Sequence, residues 1–150
     1  MEPIHFAARI VAAAAALAVP AAAMAETWRL VAVDEKTSRG VAAAYADLDS
    51  ISRSGDELRF RMQVRFGSAP PHFDGVRSSM RIQCEARRWG SEDNHLYLGE
   101  QRGADIGPTA TSDVRPGTNG AIIVDNLCSG RFLSGPVDPA VHSRTLFEAR

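Results

Sequence analysis

The ten residues Glu57–Phe66, ELRFRMQVRF, limit what this 150-residue chain can fold into more than any other stretch. Leu58, Phe60, Met62, Val64 and Phe66 alternate with Arg59, Arg61, Gln63 and Arg65. A period of two belongs to a β-strand with one face buried, because successive side chains on a strand point to opposite sides. Burying the five apolar side chains contributes roughly 8–15 kcal/mol before conformational entropy is charged. Three arginines on the other face want water, neighbouring carboxylates or an anionic partner.

The flanking segments supply partners for that strand. Trp28–Val33, WRLVAV, reads as a first strand, and residues 34–40 as a polar turn. Residues 41–48, VAAAYADL, suit a strand or a helix, since alanine favours the second and the end near Tyr45 the first. DSISRSGD, 49–56, is a predicted turn. GSAPPHFDG, 67–75, is a predicted loop, and 76–86 returns as a strand antiparallel to 57–66. GSEDN is expected to turn the chain into a third strand, HLYLGE at 95–100. Residues 101–120 hold almost no large apolar side chain and read as a long surface loop. In AIIVDNLC the pairs Ile123–Leu127 and Val124–Cys128 are four apart, which predicts a short helix ending near Gly130. A buried strand AIIV is the alternative. Asp138-Pro139 is a helix-start signal in the tail.

The first 25 residues read as a cleaved signal peptide: Arg9, an apolar run from Ile10 to Val19, Pro20, then Ala23-Met24-Ala25 as a small-x-small site. The expected organisation is therefore a signal peptide, 1–25; an α+β domain, 26–130; and a C-terminal extension, 131–150. The run is too short and Ala-rich for a span, so no stable membrane insertion is expected after cleavage. A net charge of −1 argues against nucleic acid as a partner. Lys36 is the only lysine among 17 basic residues.

An exported chain meets an oxidising compartment, where Cys84 and Cys128 are expected to pair. The bond would close a loop of about 45 residues and add about 4 kcal/mol of stability. Strand parity carries the argument further. Cys84 points the same way as Met80 and Ile82, towards the core. A bonded Cys128 must then lie over that apolar face, so the bridge staples the late helix onto the sheet. Arg59, Arg61, Arg65 and Arg81 are left on the opposite face.

The order Trp28, YADLDSI (45–51), LRFRMQV, IQCEARRW (82–89) and IIVDNLC (122–128) resembles the surface-adhesin protein E family of small exported bacterial proteins. The resemblance implies an α+β domain: an antiparallel sheet whose concave face carries a disulfide-tethered C-terminal helix. It also implies a non-enzymatic protein that attaches to host matrix and serum proteins. The chain departs from the lipoprotein members twice, with no cysteine directly at the cleavage site after Ala25 and a tail that runs past Cys128 to Arg150.

Candidate sites follow. Arg59, Arg61, Arg65 and Arg81 form a strip that either is solvated and paired with acids such as Glu85, or docks an anionic partner: a host matrix protein or anionic glycan. Asp47 and Asp49 share a strand face, but two carboxylates do not satisfy calcium, and a structural role at a strand end is expected. His72, His95 and His142 are scattered singly, without HExxH spacing, so zinc is not expected. No GxSxG, SxxK, CxxC or phosphate-binding glycine loop occurs, so no cofactor is expected. Trp28 and Trp89 suit packing better than ligand stacking. The leading expectation is an exported, non-enzymatic binding protein, periplasmic or at the cell surface. An accessory subunit of an envelope assembly is second, and a small hydrolase whose residues meet only in the fold is third.

Overall fold

In a computed structural model, residues 26–68 and 72–150 are described. The expected signal peptide, 1–25, lies outside them. The alternating stretch is a strand over its whole length, β3 (Glu57–Phe66). Around it stand β1 (Trp28–Thr37), β2 (Gly40–Ser54), β4 (Gly75–Gln83), β5 (Arg88–Leu98), β6 (Gln101–Asp105) and β7 (Thr109–Asp113). All pairings are antiparallel, in the order β1-β2-β3-β4-β5-β6, with β7 also paired to β5. Two helices complete the α+β fold, α1 (Asn119–Cys128) and α2 (Pro139–Glu148).

The parity argument holds for α1. Phe60, Met62, Met80 and Ile82 form one buried cluster with Ala121, Ile123, Val124 and Leu127 of the helix, and Cys84 packs against it. The Cys84–Cys128 disulfide is formed. Thr118 caps α1, its side chain accepting the Ala121 N–H. Gly120 is required for close approach: a Cβ there would sit 2.8 Å from the Trp89 ring. AIIV is thus helical, and the strand alternative falls.

Four differences from the sequence reading have physical causes. Residues 42–47 are all buried within β2. Ala44 and Ala46 face the α1 cluster, while Ala43 and Tyr45 face a second cluster on the other side. Small side chains at the centre of the sheet are buried from both sides, so tertiary packing overrides alanine's helical preference.

Next, the turn takes up only the end of 49–56. The chain stays in β2 to Ser54 and turns at Gly55, whose φ is +60°. The Ser and Asp residues instead form a bulge, with the register jumping between the pairs Asp47–Arg61 and Ser52–Arg59.

GSEDN is not a turn but the middle of β5. The real turn is at 84–87, with Arg87 at φ 51°.

Finally, 101–120 is not one long loop: β6 pairs the second half of β5 and β7 its first half. Every β6 residue is exposed, so no alternation could mark it.

The tail is part of the fold. Asp138 caps α2 by accepting the N–H groups of Ala140 (2.9 Å) and Val141 (3.2 Å), with Pro139 opening the helix. Leu146 and Phe147 of α2, with Val137, pack on Trp28, Leu30, Ala43 and Tyr45. Those residues alternate with the α1-facing set, so α2 covers the opposite face. The connecting segment hydrogen-bonds the outer edge of β1: Leu133 N–H to Leu30 O (2.8 Å) and Val137 N–H to Trp28 O (2.9 Å). An edge covered in this way is protected from pairing with another chain.

Candidate functional site

The second face is divided between α2 and an open groove. The arginines predicted for it do lie there, but they do different jobs. Arg59 is exposed, with Nε 2.6 Å from Glu57 and Nη1 2.8 Å from Glu92. Arg81 lies opposite Arg59 in the β3–β4 ladder; no carboxylate among the described residues lies within ion-pair distance of it, and its Nε is buried without a hydrogen-bond partner. Arg61 and Arg65 are structural. Of the two roles expected for the strip, solvation with acid pairing or docking of an anion, Arg65 fits neither in full: it is paired but buried.

Arg61 holds the β2 bulge. Its Nη2 pairs with the fully buried Asp47, and its Nη1 lies 3.0 Å from Glu26. Asp47 also accepts the N–H groups of Thr27 (3.0 Å) and Asp49 (3.2 Å). Ser50 Oγ donates to Asp47 O and accepts the Arg61 N–H, both at 2.7 Å. Asp47 and Asp49 thus shape the chain at the bulge. Among the described residues no group of three or more His, Cys, Asp or Glu is placed to hold a metal ion.

Arg65 is buried beside α2. Its Nη1 donates to Gly99 O (3.0 Å), and its Nη2 lies 3.4 Å from Asp74. Asp74 Oδ1 accepts the Gly99 N–H at 3.0 Å, so this one side chain ties the β3–β4 connection to the β5–β6 turn. Nearby, Tyr45 Oη lies 3.0 Å from His142 Nδ1 of α2. Burial pushes the Tyr45 phenol well above its usual range, with the Arg65 charge opposing weakly.

Three adjoining hollows, of about 560, 400 and 180 Å³, line the groove. The largest lies between α2 and the β3–β4 and β5–β6 ends, with Arg65, Asp74, Arg144 and Glu148 around it. Glu100 joins it to the next hollow, and Glu26, Trp28 and Arg77 join that one to the smallest. Arg77 is the central side chain. Its Nε donates to Gln63 Oε1 (3.2 Å) and its Nη2 to Glu100 Oε2 (3.0 Å). Its Cζ lies 4.5 Å from the Tyr97 ring centroid and 5.9 Å from that of Trp28, within cation–π range of both.

Asp93 and His95 form the far wall. The Ser79 N–H donates to Asp93 at 2.8 Å and, as the largest influence, holds its carboxyl below the usual range. His95 Nδ1 lies 2.6 Å from Asp105, whose carboxyl is lowered first by Arg102 and then by His95. Among the described residues the hydrogen-bond partners of His95 are Asp105 and Arg102, with no hydroxyl or thiol for it to activate. Asp105 and Arg102 thus fix the His95 ring at the far wall of the groove.

Sequence reasoning missed Arg77, Tyr97, Asp93 and Glu26. Arg77 was within reach, since it shares a face with Ser79 and Arg81 on a strand already paired with β3. Asp93 is not, because GSEDN reads as a turn; Tyr97 lies on the predicted strand 95–100, but nothing local marks it as facing a groove. The groove's wall comes from α2, a hundred residues away in sequence from β1 and bonded to it by no periodic signal.

Among the described residues no helix is long and apolar enough to cross a membrane. Comparison of the chain with known protein families, curated proteins and solved structures finds no match to any of them.

Proposed function

We propose that this chain is an exported, non-enzymatic binding protein, as its resemblance to the surface-adhesin protein E family implies, and that the groove beside α2 receives its partner. One observation carries the reading: the groove is open, yet its polar side chains are already held in place. Arg77 is fixed by Gln63, Glu100 and Tyr97, and Arg61 by Asp47 and Glu26. Side chains ordered before contact lose little conformational entropy on binding. The disulfide supports the exported setting, since such bonds persist in oxidising compartments.

The partner chemistry shifts from the one expected of an arginine strip. Glu57, Glu92, Glu26, Asp47 and Asp74 neutralise three of the four arginines locally. Steering of a polyanion by a broad positive field is correspondingly weak. A host matrix protein or glycan would be held by short-range contacts in the groove. The same neutralisation favours a second reading, an accessory envelope subunit with no ligand.

The test is a titration of the isotope-labelled, disulfide-bonded protein with matrix-protein fragments and with heparin, neutral and peptide oligomers, followed by amide shifts. Shifts confined to residues around Arg77, Tyr97 and α2 are expected. If no probe moves a groove amide, and the protein instead co-purifies with an envelope complex at high salt, the accessory-subunit reading replaces this one.

A further inference from the structure

We propose that the smallest hollow of the groove, about 180 Å³ between the start of β1 and strands β4 and β5, is a subsite for one neutral hexose unit of an oligosaccharide. The inference rests on the reading that the groove receives a ligand, and it names the chemistry of that ligand.

The charges decide the class. Glu26 and Asp93 face Arg61 and Arg77 around the hollow, two carboxylates against two guanidinia, with the His95 imidazole 3.7 Å from Asp93. A sulfated or carboxylated group would meet Glu26 and Asp93, and a cation would meet the arginines. A neutral ring avoids both penalties. Its hydroxyls each donate and accept, so they can bond carboxylate and guanidinium at once, and such charge-assisted bonds are the strong ones. Tyr97, half-buried, and Trp28 add aromatic surface to the lining, with the Arg77 guanidinium lying over one face of each ring.

The donors are not fully used. Arg77 spends Nε on Gln63 and Nη2 on Glu100, while Nη1 has no partner among the described residues. Beside it, Gln63 is 1% exposed and its Nε2 is buried without a hydrogen-bond partner. Gln63 does not itself line the hollow, so the free Arg77 nitrogen is the donor open to a ligand oxygen.

The experiment titrates the labelled, disulfide-bonded protein with glucose- and N-acetylglucosamine-based tetrasaccharides, with a heparin tetrasaccharide and with a neutral tetrapeptide, each to about 10 mM. A neutral tetrasaccharide should shift amides around Arg77, Asp93 and Tyr97, with an affinity unchanged between about 50 and about 500 mM salt. Tyr97→Ala and Asp93→Asn should each weaken it about tenfold or more. Arg59→Ser, outside the groove, should leave it unchanged. The two variants fail independently, so a folding defect in one leaves the other to decide. Binding that survives both variants overturns the subsite. Groove shifts from heparin or peptide alone overturn the hexose and leave the groove's role standing; silence from every probe removes both.

Discussion

The two faces of the sheet are closed by helices of equal length, and by different physics. On one face α1 is bonded covalently through Cys84–Cys128 and packs on Phe60, Met62, Met80 and Ile82. On the other, α2 is held by a smaller apolar cluster, the Tyr45–His142 hydrogen bond and its Asp138 cap, and it leaves a groove open along its flank. The difference teaches where a chain of this size can leave a polar groove open. Stability is concentrated on the face that the disulfide and the aliphatic core secure. The other face is then free to carry charge, whose burial would be costly in a core.

The largest test of that division is to cut the covalent link. Replacing Cys84 and Cys128 by Ser should cost about 4 kcal/mol, measured by denaturant unfolding. A loss below about 1 kcal/mol would mean that the α1 face does not depend on its bridge.

The next test strikes where the two faces meet, at the bulge. Asp47→Ala leaves Arg61 and two backbone N–H groups without their common acceptor. A loss of about 3 kcal/mol is expected, at the low end for a broken buried pair because Arg61 is half exposed. The same reasoning warns that Arg61 and Arg65 are poor probes of binding, since removing either disturbs the fold.

A smaller effect should separate α2 from α1. Phe147→Ala removes a half-buried ring that packs on the Trp28–Tyr45 cluster and should cost about 1–2 kcal/mol. Hydrogen exchange should rise in α2 and leave the α1 amides protected. Uniform loosening of both helices would show that the faces are not independent.

Alkaline pH offers a test on the α2 face alone. The folded state raises the Tyr45 phenol, so the proton is held more tightly folded than unfolded. That contribution is fully present below the unfolded tyrosine value near 10 and falls as pH rises beyond it. Stability of the native protein should therefore decline above about pH 10, and Tyr45→Phe should flatten the decline. Parallel declines in both proteins would remove Tyr45 as the cause. The smallest effect belongs to Arg59→Ser, which should leave the melting temperature unchanged because its ion pairs stand in water.

Much of the α1 face was legible before any coordinates. The alternation of 57–66, the parity of Met80, Ile82 and Cys84, and the spacing of Ile123 with Leu127 are local patterns, and each reports burial on one side only. The groove was not legible for the complementary reason. β6 is exposed throughout and the centre of β2 is buried on both sides, so neither carries a period of two. The Ser- and Asp-rich residues after Asp47 match a turn and a bulge equally well, and Arg61, across the sheet, decides between them.

By itself, then, the amino-acid order determined the strand 57–66 and its inward face, its neighbours starting near 28 and 76, the sulfur pair and the side on which the first helix must lie. Only tertiary structure decided that a second helix covers the arginine side, that Arg65 is buried there and that Arg77, Tyr97 and Asp93 converge around one hollow. The physical reason is range. Burial of a single face is written into neighbouring residues through the two- and four-residue repeats of strand and helix. Ion pairs, bulges and helix docking depend on contacts between distant segments, which exist only once the sheet has brought those segments together.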